Sequence, residues 1–173
     1  STVSYIYDSP FGNTYQSLQT GELSLPVVTS NANTSLTVEF FLKRLTGDTS
    51  TGYVFGNSNG ISVWFDSTYV YAKIGNMSYL QVKIDNLYLD SAWHHYEIGF
   101  DSSNILFFIN GKIVGKSILS TTKNLDGDLT LVNGIRDNGG VYTSTPINGY
   151  ISNLVIWSEL KDKSNFDVPT TYY

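Results

Sequence analysis

Residues 61–84 carry the pattern that most restricts the fold. Ile61, Val63 and Phe65 alternate with Ser62 and Trp64. Val70, Ala72 and Ile74 alternate with Tyr69, Tyr71 and Lys73, and Leu80, Val82 and Ile84 alternate with Tyr79, Gln81 and Lys83. Successive side chains of a strand point to opposite faces, so this period-two alternation predicts strands at 61–65, 69–74 and 79–84 that share one apolar face. Asp66-Ser67-Thr68 and Gly75-Asn76-Met77-Ser78 supply the turns between them. A slip of one residue would turn a whole apolar set to solvent, at about 1.5–3 kcal/mol for each large side chain, so the register follows from the pattern. The opposite face then carries Trp64, Tyr69, Tyr71 and Tyr79 together with Lys73, Gln81 and Lys83.

Strand-like runs with turn residues between them recur along the chain, at 36–42, 53–55, 93–100, 105–109, 112–119, 129–135 and 147–157. Residues 4–7 and 22–25 read as edge or closing strands bounded by Pro10 and Pro26. Asn110-Gly111 between two runs is a strong two-residue hairpin signal. No segment has a helical period, and residues 159–166 are the one place where a single helical turn is expected. Tyrosine occurs 13 times, whereas alanine is confined to Ala32, Ala72 and Ala92, a bias away from helix and toward sheet. At 173 residues the expectation is one domain over 1–166, followed by a terminal linker or tail at 167–173. The fold class is all-β, a two-sheet antiparallel sandwich.

Charge narrows the partners. The formal net charge is −5 with only 10 dispersed Lys and Arg, a poor basis for neutralising phosphates or an anionic lipid surface. Nucleic acid is therefore not an expected partner. No apolar run approaches the roughly 18 residues of a membrane-spanning helix, so membrane insertion is not expected either. Cysteine is absent, which removes disulfides and thiolate metal sites. The chain opens with Ser1 rather than Met and shows no signal peptide, so the expectation is a domain excised from a longer protein, or a processed product.

Four stretches resemble a known family. Trp93-His94-His95-Tyr96-Glu97-Ile98, followed by Ile105-Leu106-Phe107-Phe108-Ile109-Asn110-Gly111-Lys112, is similar to the Trp-His-His and Asn/Asp-Gly stretch of laminin-G-like domains. Ser35-Leu36-Thr37-Val38-Glu39-Phe40-Phe41 resembles their early strand, with Phe41 where Trp is usual. Asn148-Gly149-Tyr150-Ile151-Ser152-Asn153-Leu154-Val155-Ile156-Trp157 resembles their closing strand. The pieces lie in family order over roughly 20–160. The resemblance implies a concanavalin A-like jelly roll, related to lectins, glucanases and pentraxins. It also implies calcium at the rim of the sandwich, for which Asp48, Asp126, Asp128, Asp137 and Asn138 offer oxygen ligands. The fold alone does not decide function.

The aromatic face suits a sugar. Pyranose rings stack their C–H faces on aromatic rings, while Gln81, Lys73 and the tyrosine hydroxyls can meet the sugar hydroxyls. The candidate carbohydrate-binding set is Trp64, Tyr69, Tyr71, Lys73, Tyr79 and Gln81, with Arg136 from the Gly-rich loop 136–143 as a fork for an acidic sugar. Two plainer readings compete: the rings pair across strands and stabilise the sheet, or they are covered by another chain. Gly56-Asn57-Ser58-Asn59-Gly60 matches a nucleophile-elbow string, but a strand follows it where the elbow requires a helix. His94 and His95 are neighbours in a strand and point to opposite faces, so they do not share a metal. Only four glutamates occur, Glu22, Glu39, Glu97 and Glu159, and no strand alternates carboxylates as the family's glycanases do. No enzyme is expected.

The resulting expectation is a non-catalytic carbohydrate-binding or cell-surface recognition module of a larger extracellular or virion protein. Its partner would be a glycan or surface glycoconjugate. The alternative is a structural or protein-interaction domain of an oligomeric viral or phage fibre or adhesin, in which the same rings are buried between copies of the chain. A glycoside hydrolase would need two carboxylates on one face at glycosidase spacing.

Overall fold

A computed structural model describes residues 4–19, 26–28, 35–45, 52–55, 61–74, 80–83, 90–118, 128–130 and 147–171. The described residues form strands and turns with no helix. One sheet has seven strands in the order β1 (Tyr5–Ile6), β2 (Ser17–Gln19), β13 (Gly149–Trp157), β4 (Leu36–Arg44), β9 (Trp93–Phe100), β10 (Asn104–Ile109) and β11 (Lys112–Ile118). A second has four in sequence order, β5 (Gly52–Phe55), β6 (Ile61–Phe65), β7 (Tyr69–Ile74) and β8 (Leu80–Lys83). A short ribbon pairs β12 (Asp128–Thr130) with β3 (Pro26–Val28). All the pairings are antiparallel, giving the jelly-roll sandwich.

The core is filled by one phase of each strand. Leu36, Val38, Phe40 and Leu42 of β4, Tyr96, Ile98 and Phe100 of β9, and Ile105, Phe107 and Ile109 of β10 point inward from the larger sheet. Val63, Phe65, Val70 and Ala72 meet them from the smaller sheet, with Leu80 and Val82 packed alongside. Tyr96 joins the layers: its ring stacks on Phe40 at 5.6 Å and meets Phe65 edge-on at 5.7 Å. Gly115 lets the sheets close at one side. A Cβ there would lie 2.7 Å from Leu80 Cδ2 and 3.0 Å from Val82 Cγ2.

The expected meander is present with the expected faces; its register sets Trp64 opposite Tyr71 and Tyr71 opposite Gln81. Its third strand is described over Leu80–Lys83; Tyr79 and Ile84 lie outside the described residues. The hairpin at Asn110-Gly111 has both residues at positive φ, 51° and 74°, as a type I′ turn requires. Pro26 does not bound a strand but opens β3, opposite Thr130. Residues 22–25 lie outside the described residues. The helical turn expected at 159–166 is absent. That segment instead runs across the outer face of the larger sheet, where side-chain contacts replace a helix's internal hydrogen bonds. No helix among the described residues is long and apolar enough to cross a membrane.

Candidate binding site

The outer face of β6–β8 brings the aromatic residues together. Trp64 and Tyr71 are Cα partners, and their rings stack at 5.0 Å between centroids and 6° between planes. Tyr69, two residues before Tyr71, tilts against it at 6.0 Å and 56°. The parallel stack matches the spacing of neighbouring strands. Each ring therefore spends one face on the other. Trp64, Tyr69, Tyr71 and Lys73 are half-buried, whereas Gln81 and Lys83 are exposed. Ser62, in the same phase, is fully buried, so this face is open at the Tyr71 end rather than along its whole length.

Asp66 anchors this arrangement. Tyr71 Oη donates to its Oδ2 at 2.6 Å, while the main-chain N–H groups of Thr68 and Tyr69 donate to Oδ1 at 2.7 and 2.6 Å. Burial acts to raise the Asp66 carboxyl. The three hydrogen bonds and the charge of Arg44 outweigh it and hold the group below its ordinary value. Arg44 extends from β4, buried, with its guanidinium 4.7 Å from the Phe65 ring centre. Asp66 reads from sequence as a turn residue only. Its role in fixing the Tyr71 ring was missed, although an Asp five residues before a same-face tyrosine carried the signal.

A second cluster lies on the far side of the larger sheet. Glu39 and Glu97 are Cα partners across β4 and β9, and both are fully buried. Lys161 Nζ lies 2.9 Å from Glu39 Oε2, 3.7 Å from Glu97 Oε2 and 3.0 Å from Asp162 Oδ2. Trp157 Nε1 donates to Glu39 Oε2 at 2.7 Å, and His95 Nε2 lies 3.3 Å from Glu39 Oε1. Burial pushes the Glu97 carboxyl up to about 8; the charges of Asp162 and Glu39 add to this and Lys161 opposes it. Glu39, His95 and Glu97 offer ligand atoms within 4.8 Å of one another, a set that could hold a divalent ion. The Lys161 ammonium already supplies the positive charge there. The cluster also contains the same-face carboxylate pair that was not apparent in sequence, since Glu39 and Glu97 sit on separate strands. Both carboxylates are fully buried, with Lys161 across them.

His94 and His95 do point to opposite sides. Asn110 Oδ1 accepts the main-chain N–H of His95 at 2.9 Å, so its Nδ2 donates to His94 Nδ1 at 2.9 Å. That leaves His94 Nε2 to carry the proton toward Asp90 Oδ1, 2.8 Å away. Both histidines are structural members of hydrogen-bonded groups. Of the remaining expected site residues, Tyr79, Arg136, Asp48, Asp126, Asp137 and Asn138 lie outside the described residues, as does the 56–60 string. Asp128 opens β12 opposite Val28.

Comparison with known proteins places this geometry in context. No curated protein sequence matches the chain at a significant level. Among solved structures it is similar to the binding domain of botulinum neurotoxin serotype D/C, with 17% identity and a TM-score of 0.67 over 93% of this chain and 43% of that one. It is similar to the binding domain of botulinum neurotoxin DC in complex with rat synaptotagmin II, with 14% identity, a TM-score of 0.65, and 93% and 42% of the two chains covered. A structure of botulinum neurotoxin type C, whose cell entry is described as dependent upon interaction with two ganglioside molecules, matches at 17% identity and a TM-score of 0.62, over 94% and 42%. The chain spans less than half the length of these domains, and at such identity the likeness is one of fold. A family model described as the concanavalin A-like lectin/glucanases superfamily matches residues 14–164. The chain belongs to the concanavalin A-like lectin/glucanases superfamily.

Proposed function

We propose that the chain is a non-catalytic glycan-recognition module of an extracellular protein, and that it binds sugar on the outer face of β6–β8. The observation that supports this most directly is the half-buried trio of Trp64, Tyr71 and Tyr69, whose rings are held in place by one another and by Asp66. A ring fixed before binding loses little freedom when a ligand arrives. Gln81, exposed and opposite Tyr71, supplies both a donor and an acceptor for sugar hydroxyls. Lys73 flanks the same row, and Tyr79 and Arg136 belong to the proposed binding set. The similar neurotoxin domains, one of them in complex with rat synaptotagmin II and another from a toxin whose cell entry is described as dependent upon gangliosides, are consistent with a recognition role at a cell surface.

Calcium held by Asp126, Asp128, Asp137 and Asn138 is part of the proposal as a rim ion. Residues 1–166 are proposed as the folded domain, with 167–173 as a linker or tail. The deciding measurement is a glycan array with the 173-residue chain, repeated in EDTA, alongside Trp64→Ala and Tyr71→Ala variants. Binding lost in both variants while the melting curve stays cooperative supports the site. Unaltered binding in both overturns it. Loss in EDTA alone assigns the calcium.

A second reading rests on a different surface. β1 is a two-residue edge strand, and Tyr5 on it and Tyr7 just after it are 55% and 69% exposed. A sheet edge that no other described strand covers, bearing large rings, fits a contact with another copy of the chain or another protein. Light scattering separates the two readings, since a stable oligomer that is lost in a Tyr5→Ser, Tyr7→Ser double variant favours assembly.

A further inference from the structure

We infer that Glu39, His95 and Glu97 form a binding site for one divalent transition-metal ion of the zinc type, taken up as the domain folds. The site is separate from the sugar face and does not depend on it. Glu39 and Glu97 are opposite each other on neighbouring strands, and His95 lies two residues before Glu97, on the same face of β9. Each is at most 1% exposed, and their ligand atoms lie within 4.8 Å of one another. One imidazole nitrogen with two carboxylates is a donor set for zinc, whereas calcium takes oxygens alone and more of them. Glu39 divides its two oxygens. Oε2 accepts from Trp157 Nε1 at 2.7 Å and meets Lys161 Nζ at 2.9 Å, while Oε1 turns to His95 Nε2 at 3.3 Å. That last distance is long for a charge-assisted hydrogen bond, which falls at about 2.7–2.9 Å. It is the span of two ligands on one tetrahedral ion: with bonds of about 2.0–2.2 Å, neighbouring donor atoms stand about 3.3–3.6 Å apart.

Glu97 supplies an independent sign. It is fully buried, and neither of its oxygens accepts a hydrogen bond. The Lys161 ammonium stands 3.7 Å from its Oε2, too far for one. A buried carboxylate in that position costs stability unless a cation completes it. The charge balance points the same way. Ionised Glu39, Glu97 and Asp162 carry three negative charges against the single positive charge of Lys161, and a divalent ion cancels the remaining two. Glu39 would then bridge, with Oε2 on the ammonium and Oε1 on the ion. Asp162, 3.0 Å from the same ammonium, can complete four-coordination. Because the site is sealed, the ion enters before residues 158–168 close over the sheet, and its binding free energy becomes folding free energy.

The test is to unfold the 173-residue chain in urea with EDTA, remove both, and refold it with one equivalent of Zn2+, with Ca2+, or with no metal. Zinc is expected to stay with the chain through dialysis, one ion to each. It should raise the folded-to-unfolded ratio at a fixed urea concentration by about tenfold or more. Co2+ in its place should show the strong visible absorption of a tetrahedral ion. Glu97→Gln, which keeps the size of the side chain and carries no charge, should fold without metal and bind zinc at least about tenfold more weakly. A parent chain that keeps no zinc and gains no stability from it overturns the inference and leaves Glu97 as a protonated structural carboxyl. Zinc held undiminished by folded Glu97→Gln also overturns it, as does calcium that serves equally well. Should Glu97→Gln fail to fold, X-ray absorption of the zinc-loaded parent decides. A shell with a histidine nitrogen and carboxylate oxygens supports the site, and one without nitrogen overturns it.

Discussion

Glu39 and Glu97 face each other across β4 and β9 without access to water, and the Lys161 ammonium lies within ion-pair distance of both. Two buried like charges placed opposite each other would repel strongly. Lys161 answers that from outside the sheet, on a segment tied down by its own neighbours. Its main-chain N–H donates to Thr37 Oγ1 at 3.0 Å, and Thr37 Oγ1 donates to the Glu159 carbonyl at 2.6 Å. Phe166 further along packs against Phe108 at 5.2 Å and His95 at 5.7 Å.

Removing this cation should therefore cost more than one surface ion pair. Lys161→Met leaves Glu39 charged in the interior and is expected to destabilise the domain by about 3 kcal/mol, the scale for breaking one side of a buried pair. Urea denaturation measures this. Lys161→Arg, which keeps the charge, should recover a large part of the loss. A Met variant as stable as the parent would mean that Glu39 takes up a proton at little cost.

The Glu97 carboxyl predicts an unusual pH profile. Its folded value, about 8, lies above the ordinary 4.5. The folded state thus binds the proton more tightly than the unfolded chain. The associated stability is fully present below about 4.5 and is lost as the pH rises through about 8. Across that window stability should decline by up to about 1.4 kcal/mol per pH unit. Asp66 shapes the acid limb with the opposite sign: its depressed folded value gives stability above the ordinary range that is lost as pH falls through the folded value. Urea titrations at pH 5, 7 and 8.5 should show the parent most stable at pH 5. Glu97→Gln, neutral at every pH, should flatten the slope above pH 5.

The degree to which sequence revealed this molecule differs between its two faces. Local alternation sufficed for β6, β7 and β8, because neighbouring strands joined by short turns carry their pairing in the pattern itself. Asn110-Gly111 was readable for the same reason. The Glu39–Glu97 pair was not, because β4 and β9 become neighbours through the whole topology and nothing local to either strand announces the other. Residues 158–168 were opaque for a different reason. They are polar, aperiodic and without strand pairing, and they hold their place through scattered side-chain and main-chain contacts. At the candidate site the face was legible and the geometry was not: alternation put Trp64 and Tyr71 on one side, but the loss of one ring face to their mutual stack and the tie to Asp66 required coordinates.

Gly111 tests how firmly that C-terminal segment is seated. Its φ of 74° is in the left-handed region, and a Cβ there would lie 2.0 Å from the Phe166 carbonyl oxygen. That contact exists because Phe166 N–H donates to the Gly111 carbonyl at 2.9 Å. Gly111→Ala adds backbone strain of about 1–2 kcal/mol to a clash with main chain that cannot rotate away. The expected result is a loss of more than about 2 kcal/mol in urea denaturation, with faster amide exchange at 159–168 than in β4. Asn110→Ala, at φ 51°, should cost less because no clash is added, although His94 and His95 lose a partner.

The Trp64–Tyr71 pair allows ring packing to be separated from ligand binding. Parallel stacking across a strand pair contributes about 0.5–1.5 kcal/mol beyond the area it buries. A double-mutant cycle with Trp64→Leu and Tyr71→Leu should return a coupling energy of that size in urea denaturation. Tyr71→Phe keeps the ring and removes only the hydrogen bond to Asp66, so about 1 kcal/mol should be lost with the coupling preserved. The distinction bears on function. If the rings serve only the sheet, glycan affinity should be zero throughout the cycle while the coupling persists. If the Tyr71 ring carries a sugar, Tyr71→Phe should retain most of the affinity and Tyr71→Leu should lose it, at comparable stability.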